Sequence, residues 1–219
     1  MTNIISQGAE AVIKQEGDCI IKDRIPKSYR IKELDVKIRK QRTKAEAKLL
    51  EKASKIINSP KPFPLENDYQ IKMPFVEGKK LSDNLNLFPL KEQKEICRMM
   101  GKEVAKLHNA DIIHGDLTTS NMILAESENN KTSPELKRGD NLTSPQIFII
   151  DFGLGFISVK AEDKAVDLHL LKQAFEARHF QNWEVLFDEF LNGYKNYKEA
   201  EKVIERLKII EKRGRYKHE

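Results

Sequence analysis

Residues 114–124 read His-Gly-Asp-Leu-Thr-Thr-Ser-Asn-Met-Ile-Leu, a polar segment wedged between two apolar runs. Ala110-Asp111-Ile112-Ile113 precedes it, and Met122-Ile123-Leu124 closes it. Short strands on both sides would present the segment to solvent at a fixed position, which is how a scaffold holds a catalytic loop. The plainer alternative is a hairpin turn, for which Gly115-Asp116 and Ser120-Asn121 are suitable residues. A second polar site of the same build follows, where Ile147-Phe148-Ile149-Ile150 reads as a buried strand leading into Asp151-Phe152-Gly153.

Two carboxylates and an amide at the ends of apolar strands suit phosphoryl transfer, in which a protein supplies positioning and charge neutralisation. One carboxylate accepts the hydroxyl proton, while the amide oxygen and the second carboxylate offer hard ligands to magnesium. The kinase pattern His-Arg-Asp-x-x-x-x-Asn, then Asp-Phe-Gly, is matched in spacing by His114-Gly115-Asp116…Asn121 and Asp151-Phe152-Gly153. A lone Asp-Phe-Gly is weak. The two motifs in this order, each abutting an apolar run, make the catalytic-loop reading of 114–124 the stronger one.

Such a site also needs a strand lysine near the phosphates and a helix glutamate to orient it. Lys22 ends Ile20-Ile21-Lys22, which parallels the Val-Ala-Ile-Lys strand of kinases. Glu46 is the best glutamate, because it precedes Leu49 and Leu50 on a helical stretch able to pack on a sheet. Thr43-Lys44-Ala45-Glu46 is equally a capping box, in which Glu46 would merely close a helix start. The phosphate-covering loop is the weakest element. Gln7-Gly8-Ala9-Glu10-Ala11 holds one glycine where kinases show three, and Glu10 brings a negative charge towards phosphate.

The rest of the chain supplies a frame. Ala11-Val12-Ile13-Lys14 and Cys19-Ile20-Ile21-Lys22 flank Gln15-Glu16-Gly17-Asp18, so a hairpin is expected. From about residue 30 to 57 the pattern is helical, with Ala45, Leu49, Leu50 and Ala53 on one face. Tyr69 to Met73 reads as a strand ended by Pro74, and Ile96, Met99, Met100, Val104 and Leu107 recur at helical spacing. Three more helices are expected over Asp163–Arg178, Trp183–Tyr194 and Lys198–Glu211. The stretch 125–146 has almost no apolar residues and reads as a disordered insertion between two strands. Strands with one helix, a connector and then a helical half make a two-lobed layout whose seam is a ligand cleft.

With 219 residues, 39% hydrophobic and 33% charged, the chain can bury a core and is heavily solvated. Cys19 and Cys97 neither build a disulfide framework nor sit in a metal-ligand pattern, which favours a reducing interior. No bilayer-length apolar run or signal-peptide layout is present, so no membrane role and a cytoplasmic location are expected. The net charge is +5, with eleven basic residues between Lys22 and Lys48 and a basic tail from 202 to 219. Clustered cations raise the odds of a polyanion partner such as RNA, although solvated helix faces explain them as well.

Several runs together resemble one family: Gln7-Gly8-Ala9-Glu10-Ala11, Ile21-Lys22-Asp23-Arg24 with Lys27-Ser28-Tyr29-Arg30, Arg42-Thr43-x-x-Glu46-Ala47, the 114–124 loop and Ile150-Asp151-Phe152-Gly153-Leu154-Gly155. Glu162-Asp163-Lys164-x-x-Asp167-Leu168 and Arg213-Gly214-Arg215 complete the match. The chain resembles the small atypical kinase subunits of the KEOPS complex, which are related to the RIO kinases, over nearly all its length except 125–146. The resemblance implies an α+β, minimal two-lobed kinase-like fold, with a small β-rich N-lobe carrying one or two helices and a helical C-lobe. It implies an N-lobe at 1–73, a hinge at 74–78, a C-lobe at 79–211 and a basic tail at 212–219. Asp116 would be the catalytic base, Asn121 and Asp151 would hold Mg2+, and Lys22 would contact the ATP phosphates with Glu46 as its partner. Residues Gly8, Ala9, Glu10, Ala11 and Val12 would cover the nucleotide, Met73 and Phe75 would lie beside its adenine, and Asp167 would brace the catalytic loop.

As partners the resemblance implies a threonylcarbamoyl-transferase subunit, other KEOPS subunits and tRNA; the basic residues Arg24, Lys27, Arg30, Arg213 and Arg215 are expected to touch tRNA phosphates, with a partner's acidic face as the alternative. The activity implied is that of an ATPase and serine/threonine kinase supporting threonylcarbamoyl modification of adenosine in tRNAs that read codons beginning with A. Departures from ordinary kinases bear on it. Gly115 replaces an arginine, no Ala-Pro-Glu lies between Asp151 and Asp167, and Thr118 stands where many kinases carry a phosphate-steadying lysine. ATP hydrolysis is therefore expected to outweigh transfer to an outside hydroxyl. The rivals are a small-molecule kinase of the aminoglycoside or choline type and a non-catalytic RNA-binding scaffold. His114 is expected to brace the loop, and His108, His169, His179 and His218 show no pairing in the sequence.

Overall fold

Residues 2–8, 10–125 and 145–215 are described by a computed structural model of the chain. Strand β1 (Thr2–Gln7), β2 (Ala11–Glu16), β3 (Cys19–Arg24) and β4 (Gln70–Pro74) form an antiparallel sheet in that order. The β2–β3 hairpin turns at Gly17-Asp18, with Glu16 opposite Cys19. Gly17 supplies the positive φ (+57°) that so tight a turn requires. β1 has no counterpart in the sequence reading: its Ile4 and Ile5 are both exposed, so no buried face announces it.

Helix α1 (Lys32–Ala53) packs beside this sheet at β4. Its buried positions are Asp35, Thr43, Glu46, Ala47, Leu49, Leu50 and Ala53. Ala45, expected on the inner face, is exposed. The capping-box alternative fails as well, because Thr43 lies mid-helix and its hydroxyl donates back to the Arg39 carbonyl at 2.9 Å.

The second part begins with β5 (Lys79–Lys80) and short α2 (Leu81–Asn84), then the long α3 (Leu90–Asn109). Next come β6 (Ile112–Ile113), β7 (Met122–Ala125), β8 (Gln146–Ile149) and β9 (Phe156–Ile157), followed by α4 (Ala161–Arg178), α5 (Trp183–Tyr194) and α6 (Ala200–Arg215). α6 reaches Arg215, so the first residues of the expected tail are helical. Ala125 and Gln146 are paired strand residues rather than parts of the insertion, and the remainder of that stretch, 126–144, lies outside the described residues.

One core joins the two parts. Leu49, Leu50 and Ala53 of α1 pack in the same cluster as Met100, Val104, Phe152, Phe175, Phe190 and Tyr194. α3 and α5 approach through Gly101 and Gly193. A methyl on either would stand 2.0 Å from a carbonyl oxygen of the opposite helix, Phe190 or Arg98. That contact anchors α3, and the end of α3 sets the position of the catalytic-loop segment.

Candidate active site

The two strands beside the 114–124 loop do not pair with each other. β6 pairs with β9, and β7 pairs with β8, which disposes of the hairpin-turn alternative. The β7–β8 register also explains why the two motifs meet. Met122 stands opposite Ile149, so Asn121, just before β7, and Asp151, just after β8, emerge at the same end of the pair. The Ile150 N–H donates to the Asn121 carbonyl at 3.0 Å and closes that end.

Asp167, from α4, holds the loop from beneath. Its buried carboxylate accepts the His114 N–H at 2.6 Å and the Gly115 N–H at 2.8 Å. His108 of α3 lies 3.3 Å from the same carboxylate, and its other ring nitrogen meets the Tyr194 hydroxyl at 2.7 Å. Burial pushes the His108 pKa down, so it serves as a neutral link. His179, at the end of α4, lies 3.2 Å from the Thr119 hydroxyl and 2.7 Å from the Asn86 side-chain oxygen. Its pKa is pushed down to about 4 by burial, helped by Arg178. Both histidines thus have structural partners that the sequence does not display, since those of His108 come from α4 and α5 and those of His179 from the 85–87 segment and the 114–124 loop.

His114 is fully buried. The Asp116 N–H donates to its Nδ1 at 3.3 Å, which leaves Nε2 to donate to the Ile150 carbonyl at 3.0 Å. Its ring also packs on Phe152, centroid to centroid 4.8 Å. One neutral imidazole thereby ties the Asp116 loop to the strand that delivers Asp151. Asp116 itself is exposed, and the Asn121 amide nitrogen donates to its carboxylate at 3.0 Å and to its carbonyl at 2.9 Å. Because the nitrogen is engaged there, the Asn121 side-chain oxygen is left for another partner.

Asp151 has a φ of +65°, a strained conformation for a non-glycine residue. Its carboxylate accepts the Gly153 N–H at 3.1 Å and pairs with Lys22 at 2.5 Å. Burial works against its ionised form, but Lys22 and the Gly153 N–H outweigh it and hold the carboxyl below the usual aspartate range. Lys22 also pairs with Glu46 at 2.7 Å, so Lys22, Glu46 and Asp151 are brought together across the β3–α1–β8 junction. The second Glu46 oxygen is taken by Arg24. Arg24 is buried, so it is removed from the group of residues expected to touch tRNA.

The negative charge of the 7–11 loop is paired within the protein. Glu10 pairs with Arg42 at 2.8 Å and with Arg30 at 3.2 Å. Those two arginines overcome burial and hold its carboxyl below the usual range. Gly8 donates to the Ala11 carbonyl at 2.9 Å, Ala11 and Val12 are buried, and Ala9 lies outside the described residues. Arg30, bound to Glu10 and also 3.6 Å from Asp35, is committed within the protein. Lys27 is half-buried, Arg213 is exposed and 3.7 Å from Glu162, and the Arg215 side chain lies outside the described residues.

Met73 sits inside β4, opposite Ile20, and packs on the core. The Phe75 N–H donates to the Asp18 carbonyl at 2.8 Å. The Phe75 amide is therefore committed to the β2–β3 turn. Lys164, named in a matching run but given no role by the sequence, is buried and bound to Asp111 at 2.7 Å and to the Tyr197 hydroxyl at 2.9 Å. Asp111 has a positive φ of +59° at the end of α3, and no sequence signal marks the pair.

The oxygen set fits magnesium. Asp151 with its depressed pKa and the Asn121 oxygen, without a hydrogen-bond partner among the described residues, offer two hard ligands and leave the remaining positions to water and phosphate, which that ion prefers. Among the described residues no cluster of three His, Cys, Asp or Glu forms a protein-only metal cage, and no helix is long and apolar enough to cross a membrane.

Comparison with known proteins adds the family. A RIO domain model matches residues 20–130. KEOPS complex subunit Bud32 of Pyrococcus abyssi is 38% identical over 98% of this chain and 96% of its own. A probable serine/threonine-protein kinase, a BUD32 homolog of Archaeoglobus fulgidus, is 39% identical over 95% of this chain and 94% of its own. A probable bifunctional tRNA threonylcarbamoyladenosine biosynthesis protein of Methanobrevibacter smithii is 40% identical over 99% of this chain, which spans 37% of that longer protein. The Rio2 kinase–ADP/Mg2+–phosphoaspartate complex of Chaetomium thermophilum superposes with a TM-score of 0.56 at 14% identity, covering 97% of this chain and 72% of its own, and shares the kinase-like fold.

Proposed function

The chain belongs to the Bud32 family of RIO-domain kinases, and from that premise we propose that it is an ATP-dependent atypical serine/threonine kinase and ATPase of the KEOPS complex. Its role is to support threonylcarbamoyl modification of adenosine in tRNAs that read codons beginning with A. The observation that carries the reading is the convergence of Lys22, Glu46 and Asp151 beside Asp116 and Asn121. A scaffold with a kinase shape has no need of all five.

Asp116 accepts the proton of the attacking hydroxyl or water, and the Asn121 amide keeps its carboxylate oriented. Lys22 leaves Asp151 for the polyphosphate while Glu46 retains its position. Asp151 and Asn121 hold magnesium, which when bound supplies charge neutralisation at the phosphates. ATP hydrolysis is the working activity and protein phosphorylation the secondary one. Thr118 gives the transferring phosphate no cation, and the Gly115 conformation leaves no room for the arginine that grips an activation segment.

Residues 1–73 and 79–211 are assigned as lobes, with 74–78 as the hinge, and β4 ending at Pro74 supports that division. The partners are a threonylcarbamoyl-transferase subunit and other KEOPS subunits, with tRNA approaching Lys27 and Arg213, and the setting is cytoplasmic. The test is ATP turnover with magnesium, with and without the transferase partner and bulk tRNA. Turnover that rises with both supports the reading. Turnover indifferent to both, or absent throughout, contradicts it.

A further inference from the structure

Ordinary kinases pair the strand lysine with the helix glutamate alone. In this chain Glu46 carries two cations, Lys22 on Oε1 and Arg24 on Oε2. All three side chains are buried, with 9% or less of each exposed. Arg24 is not merely a neighbour of the pair. A methyl placed on Gly153 would stand 3.2 Å from Lys22 Nζ and 3.5 Å from Arg24 Nη2, so both cations face the turn that follows Asp151. The Arg24 Nε is buried without a hydrogen-bond partner among the described residues.

Counting charges gives this arrangement a purpose. Arg24, Glu46, Lys22 and Asp151 form an alternating chain with two positive and two negative groups, and they balance. When the Asp151 oxygens turn to a metal ion, Arg24, Glu46 and Lys22 remain and carry one net positive charge. Without Arg24, the remaining Glu46–Lys22 pair would be neutral, and Lys22 could reach a phosphate only by stranding a bare carboxylate in a buried place, which is costly.

We propose that Arg24 is a positioning residue of the nucleotide site: it stays paired with Glu46 as a permanent counter-ion and thereby frees the Lys22 charge for the phosphates. The inference rests on the reading of this site as one that binds a nucleotide polyphosphate. It assigns to Arg24 an internal role in place of the RNA contact expected from the sequence.

The test is calorimetric binding of Mg-ATP and, separately, adenosine to the full chain. Wild type is compared with Arg24→Met, Arg24→Lys and the double variant Arg24→Met/Glu46→Gln. Arg24→Met should bind Mg-ATP about tenfold more weakly, the scale of one charged hydrogen bond, with adenosine unchanged within about twofold. Arg24→Lys keeps the charge and should remain within about threefold of wild type for Mg-ATP. The double variant removes the carboxylate that Arg24→Met leaves bare, so it should bind Mg-ATP at least about threefold more tightly than Arg24→Met, though more weakly than wild type because Glu46 no longer orients Lys22. A purely structural arginine would not be rescued by a second substitution at Glu46. If Arg24→Met does not fold, the double variant is compared with Glu46→Gln alone, and the two should agree within about threefold, because Arg24 acts through the carboxylate that both lack. Equal binding by Arg24→Met and wild type, a double variant no tighter than a folded Arg24→Met, or one at least about tenfold weaker than Glu46→Gln, overturns the proposal. Failure of the parent reading looks different: wild type then binds no Mg-ATP, or Lys22→Met binds it as tightly as wild type.

Discussion

Gly115→Ala is expected to cost far more than a small substitution at a loop position ordinarily does. Gly115 has a φ of +79°, and a Cβ there would lie 2.3 Å from the Leu154 carbonyl oxygen and 2.8 Å from its carbon. The left-handed backbone alone costs an alanine about 1–2 kcal/mol. The loop cannot shift cheaply to relieve the contact, because the buried Asp167 holds the His114 and Gly115 amides at 2.6 and 2.8 Å. Forcing atoms into a packed site adds about 1–3 kcal/mol, so the sum is about 2–5 kcal/mol. Gly17→Ala is the matched control. Gly17 has a φ of +57° with nothing within 4 Å of its Cβ position, so only the backbone cost applies. Urea unfolding of both variants, with m-values compared, isolates the clash as the difference between them. Turnover should fall in Gly115→Ala as well, since Asp116 is the next residue. If the two variants agree within about 0.5 kcal/mol, the steric account of the missing kinase arginine is refuted.

Asp167→Asn keeps one acceptor oxygen where the carboxylate serves two amides and His108. It should destabilise by about 1–3 kcal/mol and lower kcat more than it raises KM for ATP. Glu10→Ala should leave stability within about 1 kcal/mol, as expected for partly exposed ion pairs, yet raise KM for ATP by freeing the loop from Arg30 and Arg42. Unchanged KM would sever that loop from nucleotide binding. Acid titration tests His179. Its folded pKa of about 4 lies below the unfolded value of 6.5, so only the unfolded chain takes a proton between them. Stability should therefore fall as pH drops from about 6.5 towards 4, His179 contributing at most about 3 kcal/mol and His108 acting in the same direction. His179→Gln should flatten that slope in urea titrations at pH 4.5 to 7, and an unchanged slope would contradict the assignment.

The sequence disclosed most where chemistry and periodicity coincided. The two motifs, the β2–β3 hairpin, the long helices and the α1 residues Leu49, Leu50 and Ala53 could all be read, because each joins a residue type to a fixed spacing. What stayed hidden depends on partners far apart in the chain. Arg24 looks like any surface arginine until β3 places it against Glu46, twenty-two residues on. Glu10 reads as an obstacle to phosphate until α1 offers Arg42. His108 gains its partners only when α3, α4 and α5 pack, His179 only when Asn86 and Thr119 meet the end of α4, and Lys164 only when Asp111 and Tyr197 surround it. β1 is solvent-facing and lacks the alternation that betrays a strand. Ala45 misled because helical spacing fits two neighbouring faces, and the wider buried stripe through Thr43, Glu46 and Ala47 is the one that meets the sheet.

The central claim is that Asp116 and Asp151 operate one phosphoryl-transfer site. Phosphate release from Mg-ATP by wild type, Asp116→Asn and Asp151→Ala tests it most directly, each protein first shown by urea unfolding to be folded. Loss of about a hundredfold or more in both variants is the predicted result. Variants that release phosphate as fast as wild type would contradict it.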